Sequence, residues 1–375
     1  MTRLNPSAAA QDPIPVLGLA ATPLVPESNA VLDELVFDAV FQALREAGIR
    51  KHELGLSVTA SLDIYDGRSI SCGLTNAASG GYLAQSYRIE GDAGQAIIAA
   101  AQTIAAGDAD LALAVGVYNP EVSAPDRRAF LQQISNYAFE PHFDRPVGLS
   151  AETVLGLHAG HVVDSGELSE EQLAEIAAAA ITRGSARAHA ARRSPVSPGE
   201  VLASAPVNGV LRELMLPAEC TGAIAVVLGS LARARRALRP RAVLTGWGQA
   251  TSDTTASGQW LHNPAVAARR AAQEAYRRAG VTEPGEQIAA VELTAATPAL
   301  LAPTLDALGL AKGGVEVAPS GGALSSFPGV ANGALRLLEA VRWVEERGGQ
   351  AVAHSTDLLT GTVADTATVL VVEGV

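Results

Sequence analysis

Cysteine and aromatic residues are scarce in this chain. Its 375 residues include two cysteines, and aromatic side chains make up 4%. Two cysteines, Cys72 and Cys220, give no disulfide framework and point to a reducing compartment. With so few rings, the core has to be built from Ala, Val, Leu and Ile, and apolar residues reach 48%. Basic residues are outnumbered, and the formal charge is -12. Such a surface disfavours nucleic-acid binding, because counterion release needs basic clusters. It leaves room for a small anionic ligand on a local basic patch. Metal-ligand spacing is missing as well. His158 and His161 are the one close histidine pair, with no third ligand nearby. No apolar run of about 18 residues is free of charge, so no membrane span is expected. Residues 1–14 read as a flexible tail without a signal-type apolar core, which suggests a cytoplasmic protein.

What the chain does have is an internal repeat. Residues 39–49 (AVFQALREAGI) and 271–281 (AAQEAYRRAGV) are matching amphipathic helices, each closed by a glycine, Gly48 or Gly280. Each follows an apolar strand, 15–21 or 242–248. Further on, a nearly all-apolar helix, Gly94 to Gly107, leads to a strand at 109–117. Its counterpart, Gly333 to Gly348, leads to a strand at Gln350 to His354. Strands at Gly222 to Gly229 and Thr368 to Gly374 end the two halves. Apolar strands alternating with helices imply sheets covered on both faces. Between Val117 and Cys220 the first half carries about a hundred extra residues. That insertion includes an expected helix from Leu168 to Ala191 and the densest basic cluster: Arg183, Arg187, His189, Arg192 and Arg193. The cluster reads either as a solvated helix face or as a cap over a phosphate-bearing ligand.

A buried helix starting straight after a strand is a natural reaction centre, because its free N–H groups carry partial positive charge. A cysteine there would be a good acyl acceptor. Here the strand is Gln85 to Ile89 and the turn is Glu90-Gly91-Asp92-Ala93-Gly94, with no Ser, Thr or Cys. Asp92 and Gln95 have the spacing of a capping box. Asp92 as a general base needs a raised pKa, which a helix N-terminus opposes.

The run RIEGDAGQAIIAAAQTIAAGDADLALAVGV (88–117) resembles the nucleophile segment of thiolases. The resemblance puts Gly91 at the family's cysteine and Gly94 at its glycine. The segment APSGGALSSFPGVANGALRLLEA (318–340) is similar to the block that supplies the thiolase histidine, with Phe327 at the histidine. In ELTAATPALLAPTLDALGL (292–310), Thr294 stands where the family has Asn. His354-Ser355-Thr356-Asp357 falls near the family's second cysteine, with His354 or Ser355 closest to that place. The likeness runs from Val16 to Gly374 and is nearest to sterol-carrier-protein-type thiolases.

The resemblance implies an α/β thiolase-like fold, with two duplicated βαβαβ halves in a five-layer α/β/α/β/α core and a loop-domain insertion in the first half. The division would be 15–118 with 220–235, an inserted cap at 119–219, and 240–375. It also implies acyl-CoA chemistry and a coenzyme A thioester as ligand, with no covalently bound cofactor. Partners would be a second thiolase-like subunit or a zinc-ribbon OB-fold acyl-CoA protein, in a homo- or heterodimer. A glycine accepts no acyl group and a phenylalanine no proton. Three functions follow: a non-catalytic or atypical subunit of a heteromeric thiolase or acyltransferase complex, a cysteine-independent enzyme such as a retro-aldolase on 3-hydroxyacyl-CoA, or an acyl-CoA binding module. For the enzyme, His354 is the first candidate base and Tyr82 the second, with Asp92 behind them. Backbone N–H groups at Gly91 to Gly94 and at Gly321-Gly322 are candidate oxyanion donors. Coenzyme A would lie on Arg183, Arg187, Arg192 and Arg193. Cys72 reads as an interface residue or a displaced nucleophile, and Cys220 as core. The Gly80-Gly81 pair lacks dinucleotide spacing, so no nicotinamide, flavin or nucleoside triphosphate is expected.

Overall fold

The computed structural model describes residues 12–66, 71–82, 84–120, 127–235, 239–252, 258–363 and 365–375. Most of the expected N-terminal tail and the Cys72 side chain lie outside the described residues. The first half contains β1 (Ile14–Ala21), α1 (Leu32–Ala47), β2 (Leu56–Ala60), α2 (Asp63–Asp66), α3 (Ser71–Ser79) and β3 (Gln85–Ile89). It continues with α4 (Ala93–Ala106) and β4 (Leu111–Tyr118). The insertion holds α5 (Arg127–Tyr137), α6 (Ala151–Asp164), α7 (Glu170–Gly184), α8 (Pro198–Ala203), β5 (Pro206–Asn208) and β6 (Leu211–Arg212). Then come β7 (Gly222–Gly229) and α9 (Leu231–Ala234). The second half has β8 (Ala242–Thr251), α10 (Val266–Ala279), α11 (Pro284–Gln287), β9 (Ile288–Glu292), α12 (Leu301–Ala307) and β10 (Glu316–Val317). It closes with α13 (Asn332–Arg347), β11 (Gln350–Thr356) and β12 (Thr366–Gly374).

The repeat seen in the sequence is a repeat in space. One array runs β3-β2-β4-β7-β1 and the other β10-β9-β11-β12-β8, the same order in both halves. In each, the first two pairings are parallel and the last two antiparallel, so that only the fourth strand runs against the other four. The arrays join where Ile14, Pro15 and Val16 of β1 pair antiparallel with Leu244, Val243 and Ala242 of β8. Although about a hundred residues separate β4 from β7 in the chain, they are direct neighbours, with Leu111 opposite Gly229 and Tyr118 opposite Gly222.

Helix composition decides the layers. α1 buries one stripe, from Leu32 through Leu35, Val36, Ala39, Val40, Ala43 and Leu44 to Ala47, and covers the outer face of the first array. α10 does the same for the second array with an almost all-alanine stripe. Gly18 on β1 and Gly246 on β8 face the Ala43 and Ala275 carbonyls of these helices, where a Cβ would collide, so helix and strand approach closely. α4 and α13 pack on each other between the two arrays, which is why α4 is apolar on most sides and α13 is buried along most of its length, Arg336 and Glu339 included. The result is the five-layer α/β/α/β/α arrangement expected from the sequence.

Two expectations need correction. The helix predicted from Leu168 to Ala191 is shorter: Ser169 caps its start with a true capping box, and it ends at Gly184. There, Gly184 lies against the Ser320 carbonyl and the Ser325 hydroxyl, and the chain turns away along that loop. Arg187, Arg192 and Arg193 therefore sit beyond the helix. Asp92 is the N-cap of α4, but no Asp-x-x-Gln box forms. Its side chain accepts from the Gly94 N–H instead, while the Gln95 side chain lies beside Gly91.

Candidate functional site

A cavity of about 550 Å³ opens between the core and the insertion. Its core wall is Tyr118 at the end of β4, Phe327 and Gly329 ahead of α13, and Asp357 and Leu358 after β11. The insertion adds Arg128, Gln132 and Glu152, along with Arg192 and the 213–219 segment. Phe327 is held by its backbone, which donates to the Ala218 carbonyl at 2.8 Å and accepts from the Cys220 N–H at 3.1 Å. Phe327 itself is buried and is part of the cavity wall. Glu152 is committed to a two-pronged pair with Arg128, at 2.8 Å for each bond, and to Gln132 at 2.9 Å. The Ser135 hydroxyl donates to the Leu359 carbonyl at 2.5 Å and accepts from the Ala151 N–H at 2.7 Å, so it is spent on structure. No cysteine is among the described lining residues.

Two ionisable groups of this cavity have altered chemistry: desolvation lowers Arg192 to about 10, and Asp357 is the one acid of the wall that is shifted. Desolvation pushes its carboxyl up to about 6, against the Leu359 and Thr366 N–H groups that favour the charged form. A carboxyl tuned to this range is ionised near neutral pH yet basic enough to take a proton. The sequence placed it in the His354–Asp357 motif but gave it no role. Strand alternation and the turn after β11, invisible in one sequence, are what bring it to the wall.

The other sequence candidates are scattered. His354 is 1% exposed and lines a separate small pocket behind the loop. Its Nδ1 accepts from the Thr294 N–H at 3.4 Å, and burial pushes its pKa down to about 4, so it is neutral. The Thr294 hydroxyl in turn donates to the His354 carbonyl and accepts from Asn332 at 2.7 Å. Tyr82 is 64% exposed at the outer edge of the first array, away from the cavity. Gly91 is buried and does not line the cavity.

Asp92 is fully buried, and its carboxylate lies between the first turns of α4 and α13. It accepts from Gly94 N–H at 2.8 Å, Gly333 N–H at 2.9 Å and the Ser355 hydroxyl at 2.5 Å. Burial still outweighs these bonds and pushes it up to about 7. The opposition expected from the helix terminus is present but loses to desolvation.

The arginines of the insertion tie loops together. Arg183 donates to the Val317 and Ala318 carbonyls, Arg187 to Pro319, and Arg192 to Glu213, Leu214, Leu216 and Leu324. Arg193 is exposed and makes one long bond, 3.5 Å, to the Ala188 carbonyl. Of the four, Arg192 alone lines the cavity. Gly321 and Gly322 are buried with positive φ, 84° and 61°, and the Gly321 N–H is already bonded to the Ala318 carbonyl at 2.8 Å. A buried Glu292–Arg336 pair at 3.3 Å, both 1% exposed as side chains, holds Ser320 of the same loop. Among the described residues no cluster of His, Cys, Asp and Glu is arranged to hold a metal ion.

Fold and cavity together define a protein of the thiolase-type fold. No family model matches the chain, and no curated protein sequence matches it. Solved structures do. An Ltp2-ChsH2(DUF35) aldolase matches with a TM-score of 0.76 at 18% identity, covering 98% of this chain and 99% of that one. Human mitochondrial 3-ketoacyl-CoA thiolase in complex with CoA matches with a TM-score of 0.75 at 14% identity, covering 98% and 99%. The Acat5 thiolase of Ascaris suum in complex with coenzyme A matches with a TM-score of 0.75 at 17% identity, covering 97% and 100%. The likeness is one of fold along the whole chain. Among the described residues no helix is long and apolar enough to cross a membrane.

Proposed function

We propose that this chain is a thiolase-fold subunit that acts on carbon–carbon bonds of acyl-CoA thioesters without a cysteine nucleophile, by retro-aldol cleavage of a 3-hydroxyacyl-CoA. The observation that carries it is the cavity that holds Asp357 and no cysteine. The Asp357 carboxylate takes the proton of the 3-hydroxyl. The Cα–Cβ bond breaks, its electron pair passing to Cα and the thioester carbonyl as an enolate, and Cβ–O becomes a carbonyl. A proton returned to Cα, from Asp357 or water, gives the shortened acyl-CoA. Arg192, beside the cavity, favours the developing negative charge. Arg193, with its guanidinium exposed, is the best placed of the sequence-predicted arginines for the phosphates of coenzyme A. Residues 119–219 act as the cap over this site.

The similar Ltp2-ChsH2(DUF35) aldolase, which joins two components, supports assembly with a second chain. We place that chain, a zinc-ribbon OB-fold acyl-CoA protein or a second thiolase-like subunit, in a cytoplasmic complex. The edge strand β3, paired on one side only and with Tyr87 51% exposed, is suited to pairing across a dimer axis.

Gly91 and Phe327 favour a second reading, a subunit that binds acyl-CoA and leaves chemistry to its partner. Incubating the protein, alone and with its partner, with a 3-hydroxyacyl-CoA separates the two. Release of the carbonyl product, with Asp357→Asn lowering kcat at least ~100-fold, supports the aldolase. Tight thioester binding without turnover, or an unaffected Asp357→Asn variant, overturns it.

A further inference from the structure

Behind the cavity wall lies a second pocket of about 20 Å³, lined by His354, Thr356, Leu358, Thr362 and Asp365 among others. Leu358 is the one described residue common to both pockets. Its backbone is held at φ 54°, a conformation that a leucine adopts only when its surroundings impose it.

Three polar atoms of residues that line this pocket have no hydrogen-bond partner among the described residues. His354 Nδ1 is an acceptor, so the proton of the neutral ring is on Nε2, and Nε2 has no partner among the described residues. The hydroxyls of Thr356 and Thr362 have none either. His354, Thr356 and Thr362 are 1%, 6% and 5% exposed. Asp365, 5% exposed, accepts from the Ser252 hydroxyl at 2.7 Å and presents its remaining acceptor capacity. Buried polar groups left unpaired are costly and rare in folded proteins. Here they converge on a space that fits one water, which needs roughly 10–15 Å³ and two to four polar partners. The outward N–H of His354 disfavours a cation. The volume excludes anything larger.

We propose that this pocket binds a single ordered water, which joins His354 on β11 to Thr362 and Asp365 on the 357–365 loop and so positions that loop. The water accepts from His354 Nε2–H and bonds the threonine hydroxyls and the Asp365 carboxyl. Leu358 is the partition that keeps it apart from the large cavity. The loop it braces carries Asp357, and the importance of that placement for turnover rests on the aldolase reading. The water site itself does not.

The test therefore reads occupancy and stability first. High-resolution diffraction from crystals of the full chain is expected to show a water peak within hydrogen-bond distance of His354 Nε2 and of Thr356 or Thr362 Oγ1. An empty pocket overturns the proposal. Thr356→Val and Thr362→Val keep the side-chain shape. With a bound water, the double variant loses the peak and melts at lower temperature. In a dry pocket, valine removes two unpaired hydroxyls and the melting temperature rises, which also overturns the proposal. Thr362→Ser, which keeps the hydroxyl, is expected to retain the peak. A valine double variant that loses the water while Asp357→Asn leaves turnover unchanged separates a true water site from a failed aldolase reading.

Discussion

The Asp92 carboxylate accepts a hydrogen bond from the Gly333 N–H at 2.9 Å, across 241 positions of sequence. It does so while capping its own helix at Gly94, so one side chain joins the N-termini of both central helices. This contact crosses the repeat axis and ties the two halves of the molecule together.

Its pH dependence follows. Burial raises Asp92 to about 7, so between the ordinary carboxylate pKa and 7 the folded protein holds the proton more tightly than the unfolded chain. The group's contribution is complete below about pH 4 and is lost as pH rises through 7. Asp92→Asn cannot titrate. Its unfolding free energy in urea is expected to fall less between pH 4 and 7 than that of the wild type, by up to on the order of 4 kcal/mol. Parallel curves for the two proteins would contradict the assignment.

The glycines around this contact differ in tolerance. A Cβ at Gly333 would meet Asp92 Oδ1 and the Gly94 backbone nitrogen, neither of which has room to move. At Gly91 it would meet the free end of Gln95, at 2.5 Å. Gly333→Ala is therefore expected to cost about 3 kcal/mol or more, and Gly91→Ala less than about 1 kcal/mol, in the same denaturation assay. Equal costs would show that the space at Gly91 is as tightly built as the helix junction.

Removing Arg336 leaves Glu292 buried without its charge partner. Arg336→Leu is expected to destabilise the protein by about 3–5 kcal/mol. Arg269→Leu, which breaks an exposed pair with Asp306, is expected to cost less than about 1 kcal/mol. Chemical denaturation of the two variants side by side checks the ranking, and a reversal would mean that the buried pair does not hold the 320 loop.

Cys220 is fully buried, and burial pushes its thiol up to about 11. In a Cys72→Ser background it is expected to resist thiol reagents in the native state and to react fully in denaturant. Rapid native labelling, followed by absorbance, would place it on an accessible surface instead.

Much of the frame was legible from the sequence. The glycine-closed helices at 39–49 and 271–281, and the all-apolar segment from Gly94, announced matching halves and a buried central helix because periodicity and capping are local. The site was harder. His354 looked like a base in the sequence, yet the strand turns it into a back pocket. Asp357, three residues on, reaches the cavity. The arginines of the insertion looked like one cluster, but Arg183, Arg187 and Arg192 donate to carbonyls of the 317–324 segment, more than 130 positions away in the chain.

The sequence by itself determined the duplicated α/β architecture and the absence of Ser, Thr and Cys from the turn at 90–94, because both depend on residue type and spacing along the chain. Only the tertiary structure decided which acid faces the cavity, that Asp92 bridges two helix ends, and that the basic residues are mostly occupied. Each of these depends on which groups the folded chain brings together and removes from water, and desolvation there outweighs the local preference.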